Sequence, residues 1–324
     1  MIKMLSYPFR TIKNRISYLY ALILSRFQIE PSKIQRVVYH LPWYLRLSQH
    51  HLGCYLRKIH RKNRLKNYPQ LACIPSDTMG QAIVLNGLYE EEFLISFEII
   101  FKHYLEKFKQ QTLIDVGANI GNHALFFSRY FKEIIACEPN PTALKLLDTN
   151  IFLNQTKNIH VIPVGLSNES DTLPFFEDPE NLGGSGFNLK NYHSISKQKL
   201  NLEKGDTILS RDFKSSSIGV IKLDIEGLEL HAIQGLKQTL IRHQPIIFFE
   251  AHTSQGEMGS QAIFDYLTQL NYTYFYTLER KKRTTSLIGF FTRLLKGYEI
   301  IISPLSKPEN RFYSLIIAKT TSLE

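Results

Sequence analysis

Residues 112–122 read TLIDVGANIGN. A short apolar run, Leu113, Ile114 and Val116, ends in Gly117-Ala118-Asn119-Ile120-Gly121, and a helical pattern continues from His123 to Phe131. Strand, glycine turn and helix in this order form the first unit of a nucleotide-binding α/β sheet. Gly117 and Gly121 lack a Cβ, so the backbone turns tightly there and can approach a ligand closely. The amides that open the next helix are expected to point at whatever sits over the turn. Many buried strands end in Gly-x-x-x-Gly for packing reasons alone, so the turn by itself does not establish a ligand site.

A second element strengthens the reading. Residues 131–138, FKEIIACE, form a second buried strand by their pattern, with a carboxylate, Glu138, at its tip. An acidic group about 20 residues after the turn suits a ribose diol, and it would repel a 2′-phosphate. Two features separate the remaining nucleotides. A pyrophosphate such as that of NAD calls for Gly-x-Gly-x-x-Gly, and here the middle glycine is missing. In addition, Asp115 stands two residues before Gly117, where a carboxylate would repel a pyrophosphate. It would favour a ligand carrying an ammonium and a sulfonium, which describes S-adenosylmethionine.

With these residues in place, DVGANIGN (Asp115–Asn122), EPNP (Glu138–Pro141) and KLDIEGLE (Lys222–Glu229) together resemble the FkbM family of S-adenosylmethionine-dependent methyltransferases. The resemblance runs from about Gly87 to about His252, with a last strand near residues 312–318. It implies a Rossmann-like class I methyltransferase fold: a mostly parallel seven-stranded sheet flanked by helices. It also implies donor contacts from Asp115, Gly117, Ala118, Asn119, Gly121 and Asn122, and from Glu138, Pro139 and Asn140. The loop Gly165-Leu166-Ser167-Asn168 would lie near the adenine, with Leu166 and Ser167 as contacts, and Tyr89 and Glu90 would lie near the ligand. The activity implied is O-methylation, often of a sugar hydroxyl in a glycan, glycolipid or secondary metabolite. A non-sugar small molecule or a nitrogen as acceptor stays open, as does a non-catalytic nucleotide-binding module.

The strand at 218–223 delivers Asp224 at its carboxyl end, followed by Glu226, and the strand at 245–249 is followed by Glu250 and His252. Ligands in open α/β sheets bind outside the carboxyl ends of the strands. Asp224, Glu226 and His252 are therefore the candidates for removing a hydroxyl proton during methyl transfer. Asp224 is also a candidate donor contact. Asp224, Glu226 and Glu250 have no distinctive spacing for a metal, and none is expected.

The chain has 324 residues and a net charge of +10, placed unevenly. Up to Lys66 there are fourteen Lys and Arg against Glu30 alone, so this arm carries +13 and the remainder −3. We expect a helical, basic, amphipathic N-terminal extension over residues 1–75 and a methyltransferase domain over 76–324. The apolar run Ile16–Leu24 spans only about half of a ~30 Å hydrocarbon core, too short to cross a membrane. Its alternatives are an amphipathic helix on an anionic membrane surface and a helical cap packed on the domain. An insert at about 280–311 is a second basic amphipathic piece. No nucleic-acid motif accompanies the charge, so no nucleic-acid partner is expected. Three scattered cysteines, Cys54, Cys73 and Cys137, fit a reduced, cytoplasmic protein, with peripheral attachment to the inner face of the membrane as the further expectation.

Overall fold

The computed structural model describes residues 42–178, 182–187, 197–225, 227–251, 259–280, 300–309 and 311–323. The chain divides into two units, Met1–Cys54 and Tyr55–Glu324, and the second contains every described strand. The first described helix, α1 (Trp43–Leu65), has no buried residue. The basic run around Ile16–Leu24 lies outside the described residues.

Helix α2 (Thr78–Asn86) covers residues 81–85, whose Ile-Val-Leu run taken alone reads as extended. Its β-branched residues favour a strand, but Met79 and Ile83 bury one helical face, and Gly80 lies so close to the Ile74 carbonyl that no side chain would fit. Tertiary packing thus overrides local preference. Gly87 stops the helix in the left-handed conformation, its amide bonding to Ile83. Helix α3 (Glu91–Ile100) then gives way to a 3₁₀ turn at Lys102–Tyr104 and α4 (Leu105–Phe108).

The central sheet begins with β1 (Thr112–Val116), α5 (Asn122–Phe127), β2 (Glu133–Cys137), α6 (Pro141–Asn154) and β3 (Ile159–Ile162). Next comes a separate three-stranded sheet of β4 (Gly165–Ser167), β5 (Asp171–Phe176) and β6 (Lys197–Lys204). Helix α7 (Gly205–Asp212) returns the chain to the main sheet at β7 (Ile218–Leu223). Helices α8 (Glu229–Gly235) and α9 (Lys237–His243) lead to β8 (Ile246–Ala251), and α10 (Ser260–Gln269) leads to β9 (Tyr274–Arg280). β10 (Ile300–Pro304) and β11 (Tyr313–Lys319) complete it.

The main sheet has the order β10-β9-β11-β8-β7-β1-β2-β3. β3, β2, β1, β7 and β8 are mutually parallel, and β11 runs antiparallel between β8 and β9. This is the strand order of a class I methyltransferase, with one addition. Seven strands were expected and the described residues place eight in this sheet, because the end of the 280–311 insert forms β10, which pairs antiparallel with β9. An Ile-Ile-Ile run beside an edge strand finds ladder partners there that an amphipathic surface segment would lack. The earlier part of the insert lies outside the described residues.

Both faces of the sheet are covered, as buried parallel strands require. On β1, Ile114 and Val116 face a core with α8 and α10, while Leu113 faces an aromatic core with α3 and α5. At the centre of that second core lies Phe97, 1% exposed, with the rings of Phe101, Phe108, Phe127, Phe131 and Phe248 at 4.7–6.4 Å. Truncating such a residue removes its burial and leaves a cavity. Phe97→Ala is expected to lower stability by about 3–5 kcal/mol, measurable by denaturant unfolding.

Candidate active site

The chain builds β1, β2 and β3 outward in one direction, then returns to β7 and β8 on the other side of β1. The strand order therefore reverses between β1 and β7, and a crevice opens at their carboxyl ends. Gly117 comes directly after β1 with φ +79°, and a Cβ there would stand 2.0 Å from the Asp224 carbonyl oxygen just past β7. Both its conformation and its neighbour demand glycine. Gly121, at φ +86°, would drive a Cβ into Leu147 of α6. The first glycine thus lets two strand tips meet, and the second seats the turn on a helix. The amides of Gly117 and Ala118 donate to the Cys137 carbonyl at 3.0 and 3.1 Å, so these two are spent inside the fold rather than offered to a ligand.

Glu138 stands at the tip of β2, 6% exposed. One carboxylate oxygen accepts the Asn119 amide and the other the Asn140 amide, both at 2.8 Å. Burial raises its pKa to about 7, against the two amide bonds that favour the ionised form. Asn140 in turn caps α6, accepting the Thr142 amide at 2.9 Å, with Pro141 at the first helical position. The EPNP stretch therefore fixes a carboxylate and starts a helix together.

Beneath the turn lies a buried ion cluster. Asp115 is fully buried, and one of its oxygens accepts from the Lys222 ammonium at 3.0 Å. The same ammonium lies 3.3 Å from an Asp224 oxygen and 3.5 Å from the Gly117 carbonyl. Burial opposes a charge on Lys222, but the Asp115 and Asp224 carboxylates outweigh it and hold the pKa above its usual value. Asp115 and Lys222 are direct partners in the β1–β7 ladder. The second Asp115 oxygen finds no hydrogen-bond partner among the described residues.

The third wall comes from the peptide before α3. Asn122, 4% exposed, accepts the Tyr89 amide at 3.0 Å and donates to the Tyr89 carbonyl at 2.9 Å. This clamp holds the next residue, Glu90, in the left-handed region at φ 53°, a conformation costing about 1–3 kcal/mol for a residue with a side chain. His123 Nε2 lies 3.4 Å from a Glu90 carboxylate oxygen, but makes no hydrogen bond among the described residues. Burial first, then the Glu90, Asp224, Glu250 and Asp77 carboxylates, push the Tyr89 phenol well above its usual pKa, so it stays a donor.

Two adjoining cavities result. One is lined by the glycine turn, Glu138, Pro139, Asn140 and the 182–187 segment. The other is lined by Phe93, Lys222, Arg280 and Phe312. Tyr89, Glu90, Asp224 and Glu250 line both. Of the sequence-derived candidates, Gly117, Ala118, Asn119, Asn122, Glu138, Pro139, Asn140 and Asp224 line the first cavity. Asp115 and Gly121 lie behind its wall. Leu166 and Ser167 belong to β4, buried in the second sheet, where Gly235 packs against the Ser167 carbonyl; they are not in the lining. Glu226 and His252 lie outside the described residues. Lys222 and His123 were not singled out by sequence. Lys222 had a signal, a lone cation in an apolar strand. Among the described residues no group of three or more His, Cys, Asp or Glu side chains is placed to hold a metal.

The strand order and this crevice are those of a class I methyltransferase fold. Residues 115–274 match the methyltransferase FkbM domain, and the chain carries a domain of that family. Methyltransferase sdnD of Sordaria araneosa is 25% identical over 156 residues, covering 39% of this chain and 60% of that protein. The hexuronic acid methyltransferase AglP of Haloferax volcanii is 29% identical over 137 residues, covering 41% and 52%. The chain thus spans about half to three fifths of the length of these curated relatives. Among solved structures, methyltransferase FkbM of Methylobacillus flagellatus aligns with a TM-score of 0.38 at 14% identity, covering 83% of this chain and 59% of that one.

Removing the buried cation would leave the Asp115 carboxylate unpaired. Lys222→Met is expected to lower stability by about 3–5 kcal/mol, with much of the loss recovered in the Asp115→Asn/Lys222→Met double variant. Denaturant unfolding of the two variants beside wild type measures both.

Proposed function

We propose that the protein transfers a methyl group from S-adenosylmethionine to a hydroxyl, the acceptor being a sugar in a glycan, glycolipid or secondary metabolite. The charge of the first cavity carries the donor reading. Its described lining contains Glu90, Glu138, Asp224 and Glu250, and no Lys or Arg. A pyrophosphate would meet these carboxylates there with no Lys or Arg in the described lining to offset them. S-adenosylmethionine, with a sulfonium and an ammonium against one carboxylate, is a net cation and is favoured. Glu138 at the β2 tip suits the ribose hydroxyls, each carboxylate oxygen having a lone pair beyond the backbone amide it accepts.

The acceptor reading rests on the second cavity. It meets the first at four side chains and offers carboxylates that accept from hydroxyls, beside the apolar surface of Phe93 and Phe312. The acceptor oxygen attacks the methyl carbon opposite sulfur; the C–O bond forms as the C–S bond breaks, and sulfur keeps the electron pair. The hydroxyl proton leaves to a base, for which Asp224 is the described candidate, with Glu226 and His252 coming after it in the chain. Alignment of the reactants and exclusion of water supply most of the acceleration, about 7–11 kcal/mol.

Calorimetric titration tests the donor reading. S-adenosylmethionine is expected to bind and NAD not to bind, with binding lost in Glu138→Ala. The folded carboxyl titrates near 7, far above an unfolded carboxylate, so below pH 7 the native site holds a proton that ribose must displace. Donor affinity should therefore rise up to about tenfold per unit as pH rises toward 7, then level off. Wild-type protein that binds NAD and not S-adenosylmethionine would reject the reading.

We also propose that α1 attaches the protein to an anionic membrane surface. The helix carries six Lys and Arg and no acidic residue, has no buried position, and exposes Trp43, Tyr44, Leu47 and Leu52. Basic helices with interfacial aromatics bind anionic lipid. Among the described residues no helix is long and apolar enough to cross a membrane. Sedimentation with phosphatidylglycerol vesicles should capture the protein, with capture falling in high salt; equal partition with neutral phosphatidylcholine vesicles would remove the proposal.

A further inference from the structure

Three carboxylates, Glu90, Asp224 and Glu250, sit where the two cavities meet. On the reading that the first cavity holds the donor and the second the acceptor, on which this inference rests, the transferred methyl group lies at this junction. The sulfonium that carries it lies there too.

The carboxylates differ in what already faces them. Asp224 stands 3.3 Å from the Lys222 ammonium, a cation that belongs to the fold. Glu90 feels the Lys222 ammonium only weakly, after Asp115 and Asp224; its near neighbour is the His123 ring at 3.4 Å, and an imidazole carries a full charge only when protonated. The ring is further fixed edge-on against Phe93, with centroids 5.6 Å apart.

Glu90 is also held where it is at a cost. It stands at the N-cap of α3, yet its side chain makes no capping hydrogen bond, so helix capping does not account for it. Its φ of 53° suits glycine better than glutamate, and the Asn122 clamp on the neighbouring Tyr89 peptide enforces it. A strained backbone that delivers a carboxylate to a cavity junction, where it caps nothing, points to a ligand contact.

We infer that Glu90 is the residue that reads the charge of the donor's sulfur, holding the cationic sulfonium of S-adenosylmethionine and releasing the neutral thioether product. A sulfonium has no N–H or O–H to donate, so a carboxylate recognises it by charge alone. When the C–S bond breaks, sulfur keeps the pair and loses its positive charge, and the attraction to Glu90 ends. The same contact that selects the donor thus favours exchange of product for fresh donor. His123, which packs against the carboxylate, positions it.

Calorimetry on the full chain tests this with three ligands: S-adenosylmethionine, S-adenosylhomocysteine, and sinefungin, in which a primary ammonium replaces the methylsulfonium. Wild type is expected to bind the two cationic ligands about tenfold more tightly than the thioether, as for one partly solvated charge contact. In Glu90→Gln that preference should disappear while thioether affinity stays within about twofold. An unchanged donor-to-product ratio in Glu90→Gln, or an equal loss for all three ligands, would overturn the inference. Should Glu90→Gln fail to fold, the wild-type comparison still decides: sinefungin binding no more tightly than the thioether rejects a charge-reading site. Wild type that binds none of the three would instead reject the donor reading beneath it.

Discussion

The Lys222 ammonium ties together the parts on which the site depends. It touches Asp115 at the end of β1, the carbonyl of Gly117 in the turn and Asp224 beyond β7. A buried ion pair of this kind adds little net stability, because removing two charges from water offsets most of their attraction. Its contribution is to specify register. Successive strand residues face opposite sides, so sliding β7 by one position would turn Lys222 away from Asp115 and into the apolar core on the other face. The aligned strands place the Asp224 carbonyl against Gly117, and this contact excludes any side chain from the turn. One cation therefore fixes the crevice through register rather than through strength.

The same logic explains why the cavity has few amides to offer. Gly117 and Ala118 bond to Cys137, Asn119 bonds to Glu138, and Asn140 bonds to the other oxygen of the same carboxylate. A site using its amides this way has little to give a phosphate. What the turn and the β2 tip present to the cavity is negative charge and side-chain amide, with Glu138 rigidly held. Anion recognition at a glycine turn and cation recognition here share a backbone outline and differ in where the N–H groups are spent.

Much of this was legible in the sequence, for identifiable reasons. β1, β2, β7 and β8 are short apolar runs that end in a glycine or a carboxylate, and a fully buried parallel strand leaves that trace. Glu138 and Asp224 were readable because each stands at the first position after such a run. Helix α2 was not, since its Ile-Val-Leu run reads as extended, and the burial of Met79 and Ile83, with Gly80 fitted against Ile74, makes it helical. β10 was hidden for a related reason: an apolar run separated from its partner by an insert gives no local pairing signal. The Leu166-Ser167 loop became a strand because β6, some thirty residues later in the chain, supplies its ladder. Lys222 was visible as a cation inside an apolar strand. Its meaning required knowing that β7 lies beside β1, which sets it opposite Asp115.

Glu90 shows where local rules and function part. A glutamate in the left-handed region is unfavourable by backbone preference, and it leaves its side chain unused as a helix cap. Consistency between local and global preferences is the general condition for folding, and departures concentrate where a site needs them. Here the departure is supported on one side by the paired Asn122–Tyr89 bonds and on the other by the buried His123 ring. Both supports come from α5, the helix that the glycine turn begins. The turn that opens the crevice and the strained peptide that lines it are therefore one mechanical unit. A change that loosened α5 would move the carboxylate at the cavity junction without touching it.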